Sequence, residues 1–293
     1  MTGLTAVIRG LPRDELVLRM SAVMLMLHGA QTEALLGLLT VLGGLGLVFP
    51  RVLRRPAFWW TAVGLTVVFH GAKWFWIYNH KILFTYWTIA CALAVSRPMT
   101  IDILAKSARL LIGLSFLAAF SWKLFGGHCL DGSYMHYLML CNQKFVPWTH
   151  WLTGLSMETL GACDAALRAL DSGILAQDVT PLPTDDAIVS VSLFASYYTL
   201  AVEGGIAIVF LLGERVRAWW RHALLWLFIL SVYPIATVPA FALIVLTMSL
   251  ADIEEGNTRL RIGALIMMAL SVLSFVPRNV PRYLSLIGDF FAW

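Results

Sequence analysis

Leu104–Phe125, LAKSARLLIGLSFLAAFSWKLF, is the stretch on which the fold turns. Lys106 and Arg109 stand near its start and Lys123 near its end, and no charged side chain lies between Leu110 and Trp122. As an α-helix its 22 residues rise roughly 33 Å, close to the roughly 30 Å of a bilayer's hydrocarbon core. An apolar stem with basic residues at its ends is the pattern of a membrane helix whose cations reach the headgroups.

Outward from this stretch the same pattern repeats. Leu16–Leu27, Glu33–Pro50, Phe58–Tyr78, Ile82–Ser96, Val189–Leu212, Trp219–Tyr233, Pro234–Leu250 and Ile262–Val276 are apolar runs at or near membrane length, joined mostly by short connections. The sequence therefore predicts an all-α fold: a multi-pass transmembrane helical bundle of eight to nine membrane helices with one long extracytoplasmic helical loop. Leu16–Leu27 is short and broken by Arg19, and it reads equally as half a span, an interfacial helix or a helix packed inside the bundle. Pro234 and Pro239 are expected to kink or break their span.

Composition agrees. Of the 293 residues 59% are apolar and 13% charged, against roughly 45–50% and 25% for soluble domains, and the mean hydropathy is +0.78. The 12 Trp, 16 Phe and 8 Tyr suit the two membrane interfaces. Lys and Arg exceed Asp and Glu by 21 to 17, a net +4 scattered in short clusters, so nucleic acid is not an expected partner. Four cysteines provide neither a dense disulfide framework nor a CxxC metal cluster. The first residues lack the cleavage site of a removable signal peptide.

The basic clusters set the orientation. Arg9 and Arg13, Arg51, Arg54 and Arg55, Arg97 and Lys106, Arg215, Arg217 and Arg221, and Arg259 and Arg261 fall on one side, which the positive-inside rule makes the cytoplasm of a cell (inner) membrane protein. Arg278 and Arg282, in the C-terminal tail, oppose it. The other side receives His28–Glu33, Asn79 and His80, and the acidic segment 126–187. One domain, residues 1–293, with 126–187 as an extracytoplasmic insertion, is the simplest organisation. An oxidising compartment would permit a Cys129–Cys141 bridge; free thiols are the equal alternative. The apolar stretch from Tyr134 to Leu138 suits a segment lying flat on the membrane surface, and Pro181-Leu182-Pro183 closes the insertion.

Polar residues at membrane depth are costly and so are the first functional candidates. Lys123 reads either as a snorkelling anchor or as a desolvated amine able to act as a base. His80, in Tyr78-Asn79-His80-Lys81, either caps a turn or, with Asn79, faces the mouth of the bundle. Glu203 stands half-way along Val189–Leu212 beside Gly204 and Gly205, and must be protonated, paired or turned to a polar cavity. His70 and Lys73, one turn apart beside Trp74, are explained by interfacial anchoring. Lys123 and His80 are the candidate catalytic residues; Asn79, Trp122, Tyr198 and Glu203 are candidates for holding a cofactor. There is no P-loop, GxGxxG, HExxH or GxSxG. His128 with His136, and His222, lack metal-ligand spacing, so no metal is expected.

At this point the residues reach a resemblance. Gly113–Leu138, GLSFLAAFSWKLFGGHCLDGSYMHYL, looks like the segment of vitamin K-dependent gamma-glutamyl carboxylases in which an apolar helix ends in a lysine, followed by an acidic linker and a Met/Tyr-Leu helix. Asn79-His80-Lys81-Ile82-Leu83 resembles that family's Asn/His turn. Glu203-Gly204 before the basic Arg215–Arg221 resembles the carboxylate-bearing helix of the wider HTTM superfamily. The three blocks agree in order and rough spacing over Leu16–Asp252. The resemblance implies that Lys123 matches the base that deprotonates reduced vitamin K, and that His80 matches the histidine hydrogen-bonding near it. It implies a reduced isoprenoid quinone as cofactor in a pocket that excludes water.

The large region with which the carboxylases hold protein substrates has no counterpart here, so peptide gamma-carboxylation is not the expected reaction. Three functions follow as expectations. The first is a quinone- or lipid-using, carboxylase-like membrane enzyme with Lys123 as base. The second is a non-catalytic maturation or assembly protein whose 126–187 loop holds a secreted or membrane protein partner, as in the HTTM group that matures secreted toxins. The third is a small-solute carrier using Glu203 and the Pro234/Pro239 break. Membrane lipid is a partner in all three.

Overall fold

The computed structural model describes residues 11–29, 34–72, 79–171, 185–236 and 239–273. All regular structure among them is helical. The main helices are α1 (Arg13–Gly29), α2 (Ala34–Val48), α3 (Pro56–Ala72), α4 (Asn79–Val95), α5 (Thr100–Phe125), α6 (Ser133–Cys141), α7 (Val146–Thr153), α8 (Met157–Asp171), α9 (Asp186–Leu211), α10 (Ala218–Ala236) and α11 (Pro239–Asp252). A twelfth, α12, runs over 258–273. Lys73, Pro181–Pro183, Arg278 and Arg282 lie outside the described residues.

These helices fall into two compact units, one made of residues 1–115, 209–226 and 238–293, the other of 116–208 and 227–237. In the first unit α1 packs on α2 and α11, and α4 on α3 and α11. Arg19 does not interrupt α1, because it forms an ion pair with Glu15 one turn earlier. Asp14 and Glu15 in the first turn also complement the helix dipole. The inward face of α1 is fully buried at Val17, Ala22 and Leu25, so Leu16–Leu27 resolves as part of a packed helix. Trp59 and Trp87 are wholly buried, and each indole N–H has an acceptor: Leu53 O at 2.8 Å and Ser21 Oγ at 2.9 Å. Gly43 lets α2 lie close to α1, since a Cβ there would stand 2.5 Å from Ala22 O.

In the second unit the segment after α5 folds into three short helices, α6, α7 and α8. Met139, Leu140, Cys141, Leu160, Cys163 and Ile188 form a core of their own. The C-terminal part of α6, Met139–Cys141, thus packs on protein, while Tyr137 in its middle is exposed. Cys129 and Cys141 are both buried free thiols, as are Cys91 and Cys163. Burial pushes the Cys141 and Cys163 thiols up, which suits inert core residues.

Two helices among the described residues, α5 and α9, are long and apolar enough to cross a membrane, at 26 residues each. Gly37–Val48, Ala218–Val232 and Ala240–Asp252 are shorter apolar segments. Pro234 lies within α10, which runs to Ala236, and Pro239 opens the next helix; residues 237 and 238 lie outside the described residues. A proline at a helix start forfeits no intrahelical N–H bond.

Candidate functional site

Lys123 occupies the last turn of α5 and Glu203 lies within α9, both in the second unit. Their side chains meet with Nζ 2.5 Å from Oε1, and are only 13% and 7% exposed. Gly204 helps to make this approach possible, because a Cβ at that position would press on the Phe120 ring at 3.1 Å. Of the alternatives the sequence left for Glu203, the paired one is found, and its partner is Lys123. Glu203 Oε2 is buried and accepts no hydrogen bond.

The pair lines a half-open cavity of about 630 Å³. The remaining wall is mostly apolar, from Met135, Leu138, Phe145, Trp148, Leu152 and Phe194 among others. Few further polar groups break it. Tyr198 Oη donates to Ser231 Oγ at 2.7 Å, and Ser231 in turn donates to Leu227 O at 2.7 Å, so both hydroxyl protons are already committed. Tyr134 supplies a second phenol, and burial pushes its ionisation up, keeping it neutral. This is the usual make-up of a small-molecule site: an apolar wall and a few convergent polar atoms.

Of the candidates from the sequence, Lys123, Glu203 and Tyr198 line the cavity together. Trp122 does not; it is 60% exposed and packs its ring edge-on against Tyr134, 5.4 Å between centroids. Asn79 and His80 open α4 in the first unit. There His80 meets the His28 ring at 6.4 Å, while Lys81 lies 5.1 Å over the Phe69 ring. Sequence reasoning passed over Tyr134, Trp148, Phe194 and Ser231. Ser231 carried a signal, as a hydroxyl inside an apolar run, but Trp148 and Phe194 carried none because aromatic residues are abundant throughout the chain. Cys129, also missed, is buried near the pair, and burial pushes its thiol up against the pull of Lys123.

Among the described residues no three His, Cys, Asp or Glu side chains gather into a metal site. No protein-family model matches the chain, and comparison with curated proteins and with solved structures gives no match.

Proposed function

We propose that this chain is a multi-pass protein of the cell membrane, of HTTM type, and that its second unit is a lipid- or quinone-using enzyme site built on Lys123 and Glu203. The observation that carries the proposal is the buried ion pair lining an otherwise apolar cavity, with Glu203 Oε2 left unsatisfied. A buried ion pair is a poor way to stabilise a fold, since two desolvation penalties offset its attraction. An apolar chamber that nonetheless keeps one is organised for chemistry.

The membrane reading is supported by α5 and α9, whose most apolar windows are only 33% and 50% buried within the protein. So much outward apolar surface on 26-residue helices suits lipid better than water.

A reduced isoprenoid quinone fits the residues present. Its apolar body matches the Met, Leu, Phe and Trp wall, and Glu203 Oε2 and Lys123 Nζ would hold one of its hydroxyls, the first as acceptor and the second as donor. Such a group would supply two-electron reducing power. The protein's share is proton handling. Nζ and Oε1 hold one proton between them; with it on Oε1, Nζ is a free amine and a base. A hydroxyl proton accepted by Nζ would leave an ammonium and a carboxylic acid, a net positive charge able to attract an anion at that place in the cavity. The low-dielectric wall strengthens that attraction. His80 has no role in this scheme.

Mass spectrometry of lipids carried through purification in mild detergent tests it. The wild-type chain should retain about one long-chain quinone or quinol per molecule, and Lys123→Ala and Glu203→Gln should retain little. Equal retention by all three would overturn the proposal.

A further inference from the structure

The first unit carries a second cleft, of about 430 Å³, lined by Arg13, Lys106, Arg109, Arg217 and Arg221 together with four carboxylates. Two of the carboxylates are tied to arginines, and the other two, Asp102 and Glu254, are exposed at the cleft. Asp252, 1% exposed, holds Arg221 Nε at 2.9 Å and lies 3.6 Å from Arg109 Nε. Glu214 takes Arg109 Nη2 at 2.9 Å but is 80% exposed on the rim. Arg221 is fixed further by donating Nη1 to Gly213 O at 2.6 Å, and Arg13 donates to Ala251 O. These bonds make a rigid basic floor.

Lys106 and Arg217, both exposed at this cleft, form no ion pair among the described residues. Behind Arg13 lies Arg261, 2% exposed, whose Nε and one terminal nitrogen have no acceptor. Five cations against four carboxylates leave the cleft with a small net positive charge.

A shallower groove of about 440 Å³ shares Lys106, Arg109 and Glu214 with the cleft. It runs past Leu110, Leu211 and Leu212, which are 53%, 41% and 45% exposed. A polar head position opening onto an apolar track matches the two ends of a phospholipid, and a free phosphate would have no use for the track. Lys106, Arg217 and Arg221 belong to the basic clusters near helix ends that the positive-inside rule would assign to the cytoplasmic leaflet, where acidic lipids attract juxtamembrane basic groups.

We propose that this cleft and groove hold one anionic phospholipid of the cytoplasmic leaflet, its phosphate between Lys106 and Arg217 over the Arg109 and Arg221 floor, and an acyl chain along Leu110 and Leu211. The proposal rests on the membrane reading but not on the Lys123 site.

Native mass spectrometry of the full-length chain, released from detergent containing equal phosphatidylglycerol and phosphatidylcholine, tests it. The wild type should keep one phosphatidylglycerol in preference to phosphatidylcholine. The variant K106Q/R217Q, which breaks no ion pair, should lose about thirtyfold of that preference, at the usual strength of two juxtamembrane cations. Millimolar inorganic phosphate should not displace the lipid. Equal retention of the two lipids, an unchanged preference in K106Q/R217Q, or displacement by phosphate would each overturn it. A chain that stays monodisperse without detergent would instead refute the membrane reading.

Discussion

Glu203 Oε2 is the atom on which the site depends. It is buried, belongs to the carboxylate paired with Lys123, and is bonded to no other group of the protein. Glu203→Gln keeps the shape but strands the Lys123 cation in an apolar wall. Removing one partner of a buried pair costs roughly 3–5 kcal/mol, and thermal unfolding in detergent should show a correspondingly lower midpoint. The double variant K123M/E203L removes both charges and should unfold no earlier than wild type, as buried pairs replaced by apolar residues often do. It should nevertheless retain no quinone. A double variant as unstable as Glu203→Gln would mean that the pair is structural. The pairing of Lys123 with Glu203 was not legible in the sequence, because 80 positions separate them and each had a self-sufficient explanation. Their individual oddity was legible, through the cost of charge at membrane depth.

Among the elements, the helices that sequence located best are the ones with the simplest pattern. Leu104–Phe125 appears as Thr100–Phe125 and Val189–Leu212 as Asp186–Leu211, since long apolar runs bounded by charge leave few alternatives. Arg19 misled because a charge within a short run reads as an interruption, whereas Glu15 one turn away neutralises it. α6 showed only that it has an apolar face, and its pattern did not reveal that Met139–Cys141 pack on Leu160, Cys163 and Ile188. Two substitutions test the packing. Gly43→Val places its Cβ against Ala22 O and should cost roughly 1–3 kcal/mol by overpacking α1 on α2. Ser156 accepts the Thr159 N–H at 3.0 Å and so caps α8, and Ser156→Ala should cost about 1 kcal/mol while Ser156→Asp is neutral. Denaturation midpoints of the purified variants read both effects.

For the whole molecule, α5 and α9 are long and apolar enough to cross a membrane, and the distribution of arginines proposes an orientation that the helices alone do not. Impermeant maleimide labelling of single cysteines in intact cells tests it, in a background lacking the native thiols. Gln143→Cys, exposed in the segment between α6 and α7, should label from outside, and Arg97→Cys, exposed between α4 and α5, only after permeabilisation. Labelling of both from the same side would refute the topology. The central claim is narrower: a long apolar ligand ends at Lys123 and Glu203. Photocrosslinking with an isoprenoid quinone analogue, followed by peptide mapping, tests it most directly. The adducts should fall on cavity residues such as Tyr134, Trp148 or Phe194 and vanish in K123M/E203L. Adducts spread over outward-facing positions such as Trp122 or Phe125, or unchanged in the double variant, would contradict it.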